Sequence, residues 1–130
     1  AKAILLNVSG AFHSALMREA AQKMAETLKG AELKNAAVPV FTNVDASAAT
    51  QAEDFRRKLP AQVDHPVLWE DSVRKMAESG AEAFIEVGPG KVLCGILRKI
   101  DRKMKTLNVE DADSLNKTLK EMENLTNAIK

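Results

Sequence analysis

The sequence predicts an α/β layer architecture with largely parallel strands, and three observations predict it. Strand-like runs stand apart from one another at residues 3–6, 37–41, 84–87 and 104–109. Residues 16–28, 91–102 and 111–128 instead place apolar side chains at three- and four-residue spacing, the period of a helix with one wet face. Punctuation by Ser9-Gly10, Gly80 and Gly88-Pro89-Gly90 separates the two kinds of segment. Such alternation is what a sheet layered with helices requires.

The first run, Ala3-Ile4-Leu5-Leu6, breaks at Val8-Ser9-Gly10-Ala11 and delivers His13 to the start of a helix. A histidine at that junction is either a general base or a structural group tying down the turn. Loops anchored on rigid elements commonly carry catalytic groups, and the positive end of a helix disfavours imidazolium. The helix is expected to bury Leu16, Met17, Ala20, Ala21, Met24 and Leu28 and to wet Arg18, Glu19, Gln22, Lys23, Glu26 and Lys29. Ser14 is its expected cap and Gly30 its stop.

Residues 37–41 read as a buried strand that ends in a polar loop. Asp45 in that loop either orients His13 or caps the turn. Residues 51–59 form a short charged helix stopped by Pro60, and residues 61–69 an extended loop in which Pro66 holds His65 out of the helical region. The next helix continues to Ser79 with Val67, Val73, Met76 and Ala77 inward. Phe84-Ile85-Glu86-Val87 is a strand, residues 88–90 a tight turn, and residues 91–102 a helix with Val92, Leu93, Ile96, Leu97 and Ile100 inward. Exposed N–H groups and Lys91 at that helix start either hold an anion or form a structural turn; the spacing is not that of a Walker motif. Arg98, Lys99, Arg102, Lys103 and Lys105 attract an acidic partner or simply complement a solvated helix end. A closing helix carries Leu115, Leu119, Met122, Leu125 and Ile129 on one side.

Composition excludes several classes. With 19 basic against 18 acidic residues the chain lacks the basic field of a nucleic-acid binder. No Tyr, one Trp and four Phe leave no stacking platform for bases. No apolar run is long enough to span a bilayer and no signal peptide is visible, so a soluble, cytoplasmic protein is expected. Cys94 is the single cysteine, which excludes an intrachain disulfide and makes it a small core residue. His65 lacks a metal-ligand partner at useful spacing and reads as a loop or surface group; no metal and no cofactor are expected. The chain opens at Ala1 without an initiator Met, already inside a strand pattern, which suggests a start in mid-protein.

Four blocks then carry a family likeness. GAFHSALM, VPVFTNVDA, LPAQVDHPVLWEDSVRKM and FIEVGPGKVLCGILRKI, across residues 7–100, resemble malonyl-CoA:acyl carrier protein transacylases in order and spacing. The resemblance implies that residues 11–130 are the second half of a hydrolase-like α/β core with a mostly parallel sheet. Residues 1–10 would be the exit strand of a small ferredoxin-like subdomain. It implies malonyl transfer from malonyl-CoA to the phosphopantetheine thiol of acyl carrier protein through a serine ester, with His13 as general base and acid. The main-chain carbonyl of Gln62 orients His13 on this comparison, which makes the Gln62 side chain nearly dispensable, and Phe12 sets selectivity for malonyl over branched units.

What the resemblance requires and these residues lack is equally definite. No GHSxG elbow, oxyanion-hole glutamine or carboxylate-binding arginine has a counterpart here, and Ser9 and Ser14 lack the elbow context. The missing N-terminal part of the same enzyme is thus an expected partner, along with malonyl-CoA and acyl carrier protein. Alone, the chain is expected to be inactive and to need its other half for stability. Two other functions compete: a non-catalytic remnant that binds a carrier protein or partner subunit, and a segment of a polyketide-type acyltransferase.

Overall fold

The computed structural model describes residues 10–128. The strand expected at residues 3–6 and the apolar position Ile129 lie outside them. The chain divides into two compact units, Ala1–Lys75 and Met76–Lys130.

In the first unit a 3-10 turn, Ala15–Met17, leads into α1 (Arg18–Gly30). Ser14 caps the turn, its Oγ accepting from the Leu16 N–H at 3.4 Å. The end of α1 is secured from another helix: the Arg56 guanidinium donates to the carbonyls of Leu28 and Ala31, the latter at 2.7 Å. These are carbonyls that a helix end leaves without intrahelical partners. Ala21 is buried and Met24 and Leu28 are partly so, but Leu16 and Ala20, expected inside, are exposed.

β1 (Val40–Thr42) and β2 (Ser47–Ala49) pair as an antiparallel hairpin in the register Val40↔Ala49, Phe41↔Ala48, Thr42↔Ser47. The expected buried strand is therefore shorter and more open, with Val38 67% and Val40 43% exposed. β2 escapes pattern reading because Ser-Ala-Ala carries no apolar alternation.

α2 (Ala52–Asp64) runs through Pro60, which the sequence reading made its stop. An interior proline costs about 3 kcal/mol. Here Pro60 and Lys58 are both buried, and that burial with the Lys58 contacts offsets the lost hydrogen bond. The helix ends at His65, whose φ of −118° and ψ of 153° are extended, as the residue before a proline requires. α3 (Trp69–Glu78) follows, with Ser72 and Val73 fully buried, and runs across the division between the units.

The second unit is a strand-helix-strand-helix sequence: β3 (Ala83–Val87), α4 (Val92–Ile100), β4 (Lys105–Val109) and α5 (Ala112–Ala128). β3 and β4 pair in parallel from Ala83↔Lys105 to Val87↔Val109. Two pairs thus form a mixed α/β structure, one parallel and one antiparallel, where mostly parallel pairing is expected. α4 buries Cys94 and Leu97 and exposes Val92, Leu93 and Ile96, against the expectation that all of its apolar residues face inward. Similarly, α5 buries Thr118, whose Oγ donates to the Asn108 carbonyl at 2.9 Å, and exposes Leu115, Leu119 and Met122. Helices apolar over more than one side are built for contact on more than one side. No helix among the described residues is long and apolar enough to cross a membrane.

Candidate active site

His13 sits in left-handed backbone, with φ of 59°. A side chain there costs of order 1–3 kcal/mol and needs an environment that enforces it. Two local bonds supply part of this. Ser14 Oγ–H donates to the Ala11 carbonyl at 2.7 Å, and the Met17 N–H to the Ser14 carbonyl at 2.9 Å. The Ser14 hydroxyl is thereby turned back into its own turn.

The decisive contact is long-range. His13 Nδ1–H donates to the main-chain carbonyl of Gln62 at 2.8 Å, across 49 residues of sequence. A carbonyl can only accept, so in the neutral ring Nδ1 carries the hydrogen and Nε2 presents a lone pair. His13 is exposed, and so are the apolar residues Phe12 (64%) and Leu16 (83%) near it in sequence. The Phe12 ring lies over Gly10, where a Cβ would come within 2.7 Å of Phe12 Cε2. Gly10 therefore marks a close approach of ring to backbone.

Gln62 contributes with its side chain too. Nε2 donates to the carbonyls of His65 (3.1 Å) and Pro66 (3.3 Å), fastening the segment that leaves α2, so the amide is engaged rather than idle. Asp45 takes the turn role of its two alternatives. Among the described residues it accepts from Thr42 Oγ at 2.6 Å, the Ser47 N–H at 3.3 Å and Lys58 Nζ at 3.0 Å. Burial opposes its ionisation. The hydrogen bonds from Thr42, Lys58 and Ser47, with the Lys58 charge, outweigh that and hold the carboxyl well below the usual carboxylate range.

Lys58 is the residue that sequence reasoning missed. It is 6% exposed and also donates to Ser47 Oγ at 2.7 Å, so it pins α2 to the hairpin one helical turn before Gln62. A lysine among charges on a short helix gives no local signal of burial. His65 stays at the surface, with Nδ1 2.6 Å from Asp64 Oδ1 and 2.8 Å from the Ala61 carbonyl.

The turn at Gly88 to Gly90 resolves as structural. Gly88 and Gly90 hold φ of 140° and 87°, which favour glycine. The Glu86 carboxylate accepts the N–H groups of Cys94 (2.8 Å) and Leu93 (3.1 Å), so the start of α4 already binds an anion from its own chain. The Cys94 bond, opposed by burial and helped by Leu93, lowers the Glu86 pKa. Burial, with the Glu86 carboxylate, pushes the Cys94 thiol up, as suits an inert core residue. In the basic cluster, Arg98 Nε donates to Thr106 Oγ at 3.0 Å and Lys105 pairs with Glu121 at 2.8 Å. No three His, Cys, Asp or Glu side chains among the described residues converge as metal ligands.

Comparison with known proteins shows what this chain is similar to. The malonyl CoA-acyl carrier protein transacylase of Bacillus subtilis is 45% identical over 123 residues, 92% of this chain and 39% of its own length. The crystal structure of malonyl CoA-acyl carrier protein transacylase from Clostridium perfringens superposes with a TM-score of 0.90 at 36% identity, covering 97% of this chain and 40% of that one. The chain is thus similar in sequence and in fold to part of these malonyl CoA-acyl carrier protein transacylases. A malonyl-transacylase solved in complex with its type II PKS acyl-carrier protein is a further transacylase match, with a TM-score of 0.85 at 37% identity over 89% of this chain and 38% of that one. No family model matches the chain. It spans about two fifths of the length of the curated transacylases it matches.

Proposed function

We propose that this chain supplies the histidine half of a malonyl transferase. In the complete enzyme a serine from outside these residues attacks the thioester of malonyl-CoA. Its O–H proton passes to His13 Nε2, and the tetrahedral intermediate expels the CoA thiolate, which takes that proton back as thiol. The phosphopantetheine thiol of acyl carrier protein then gives its proton to the same nitrogen and attacks the serine ester, restoring the hydroxyl. A neutral carbonyl behind Nδ1 selects the tautomer but stabilises imidazolium less than a buried carboxylate does. Both half-reactions exchange acyl groups between similar esters, so an imidazole that gives and takes one proton with comparable ease suits them.

One observation carries this reading: the Nδ1–H of an exposed His13 is held by the Gln62 carbonyl at 2.8 Å, leaving Nε2 open. The transacylase likeness supports it, as does the acyl-carrier protein bound by one structural relative. Because that carrier belongs to a type II PKS, a polyketide-type transferase shares the same chemistry, and the carrier accepted separates the two. In this proposal residues 11–130 belong to a hydrolase-like core of a soluble, cytoplasmic enzyme and residues 1–10 leave a ferredoxin-like subdomain. The exposed apolar side chains Val87, Val92 and Leu119 pack against the remainder of the transferase. The isolated chain, without a GHSxG nucleophile, transfers no acyl group.

The test is malonyl labelling of the full-length transferase carrying this segment. His13→Ala lowers the labelling rate by about 10²- to 10⁴-fold; equal rates remove the base assignment. In the same enzyme Phe12→Ser relaxes the preference for malonyl over methylmalonyl by about 10- to 200-fold. An unchanged ratio of kcat/KM for the two thioesters excludes Phe12 from selectivity.

A further inference from the structure

Gln62 lies within α2 (Ala52–Asp64), and in a helix the carbonyl of residue i receives the N–H of residue i+4. For Gln62 that residue is Pro66, which has no N–H. We propose that Pro66 is a positioning residue for His13: by withholding a backbone donor it keeps the Gln62 carbonyl free to accept from the imidazole.

Pro66 acts at two points of the same geometry. Its ring forces His65 into the extended conformation observed, φ −118° and ψ 153°, which stops α2 before another turn covers the Gln62 carbonyl. Its missing hydrogen then removes the donor that a continued helix would aim at that carbonyl. Two neighbouring donors are committed elsewhere. The Gln62 amide donates to the carbonyls of His65 and Pro66 at 3.1 and 3.3 Å, and the Leu68 N–H to the Asn43 carbonyl at 2.8 Å. Both ends of the segment after α2 are thus fastened, and His13 Nδ1–H takes the oxygen that remains. The imidazole needs an undivided acceptor, because its backbone is held in the left-handed region and an acceptor shared with a competing N–H binds each donor more weakly.

The inference deepens the proposed function, resting on it only for the link to catalysis, and its readout is the ring itself. The full-length protein carrying this segment is labelled with 15N-histidine, and the His13 signals are assigned by their loss in His13→Gln. The nitrogen shifts report the tautomer. In the parent, the form with hydrogen on Nδ1 predominates. Pro66→Ala supplies an N–H at position 66, and the Nδ1–H form falls from majority to minority while the His65 signals and the thermal midpoint report a retained fold. Installing lactic acid, the α-hydroxy analogue of alanine, at position 66 removes the ring yet provides no donor, and the Nδ1–H form returns to the majority.

An Ala variant with the parent tautomer overturns the proposal, as does a lactate form as impaired as the alanine one, which would assign the effect to ring rigidity. If Pro66→Ala fails to fold, the lactate form decides: a retained Nδ1–H majority supports the proposal and its loss overturns it. Malonyl labelling of the same proteins keeps the two ideas apart. Labelling indifferent to His13→Ala defeats the base assignment without touching the tautomer result.

Discussion

The turn before α4 and the turn before α1 are held in opposite ways. The turn before α4 uses glycines at φ of 140° and 87° and closes on Glu86, seven residues before the first N–H it accepts. The turn before α1 places a histidine at φ of 59° and depends on a carbonyl 49 residues away. The first is relaxed, local and already occupied by its own carboxylate. The second stores strain, is stabilised from a distance and leaves one ring nitrogen open. Strain persists only where surroundings over-determine it, and a chain keeps it where it serves a purpose. The contrast separates a turn closed by its own carboxylate from one held by a distant carbonyl with a ring nitrogen left open.

The largest effect expected from breaking this contrast lies behind the histidine turn. Lys58→Met leaves Asp45 without its countercharge and loosens α2 from the hairpin. The loss stays below the roughly 3 to 5 kcal/mol of a fully buried pair, because the Asp45 side chain is 42% exposed. Denaturant midpoints measure it, and adding Asp45→Asn recovers part; a Lys58→Met chain as stable as the parent sinks the pinning role. Next in size is a matched pair of substitutions. Gly90→Ala puts a side chain at φ of 87° and costs about 1–2 kcal/mol. His13→Gly relieves backbone strain while losing one hydrogen bond, so its stability change is near zero. Equal thermal shifts for the two would erase the distinction between the turns.

A further effect is shared by both regions and follows from acid titration. Asp45 is held low as described, Glu86 by the N–H groups it caps, and Asp111 by the hydroxyl and N–H of Ser114. Their ordinary values are 3.8, 4.5 and 3.8. Below those the unfolded chain takes up protons that the folded chain still refuses. The stabilisation is therefore complete above about pH 5 and is lost as pH falls through the folded values. Denaturant midpoints compared between about pH 7 and about pH 3 should decline on the acid side, and a flat profile would contradict the three carboxylate contacts.

Legibility in the sequence follows the range of the interaction. The parallel strands β3 and β4 and the helices α1, α4 and α5 stand out because their apolar spacing is a local property. β2 does not, since Ser47-Ala48-Ala49 pairs through backbone and shows no alternation. Pro60 reads as a stop because proline disfavours a helix interior, yet burial overrides it. Val92, Leu93 and Ile96 read as core because they are apolar, while only Cys94 and Leu97 of that helix are buried in residues this short chain places around them. At the candidate site, the local string GAFHS draws attention to His13, whereas the burial of Lys58 and the occupation of α4's start by Glu86 have no spacing rule that reveals them.

By itself, the sequence determined the alternation of strand and helix in residues 83–128, the glycine turn at Gly88 and Gly90, and the extended backbone of His65 before Pro66, because periodicity and backbone sterics act within a few residues. Tertiary structure alone decided that the carbonyl left over at Gln62 meets the ring of His13 at 2.8 Å. It also decided that Asp45 serves Lys58 instead. The reason is physical: a hydrogen bond or an ion pair between distant segments depends on where packing brings its partners, and that position is a property of the folded chain as a whole.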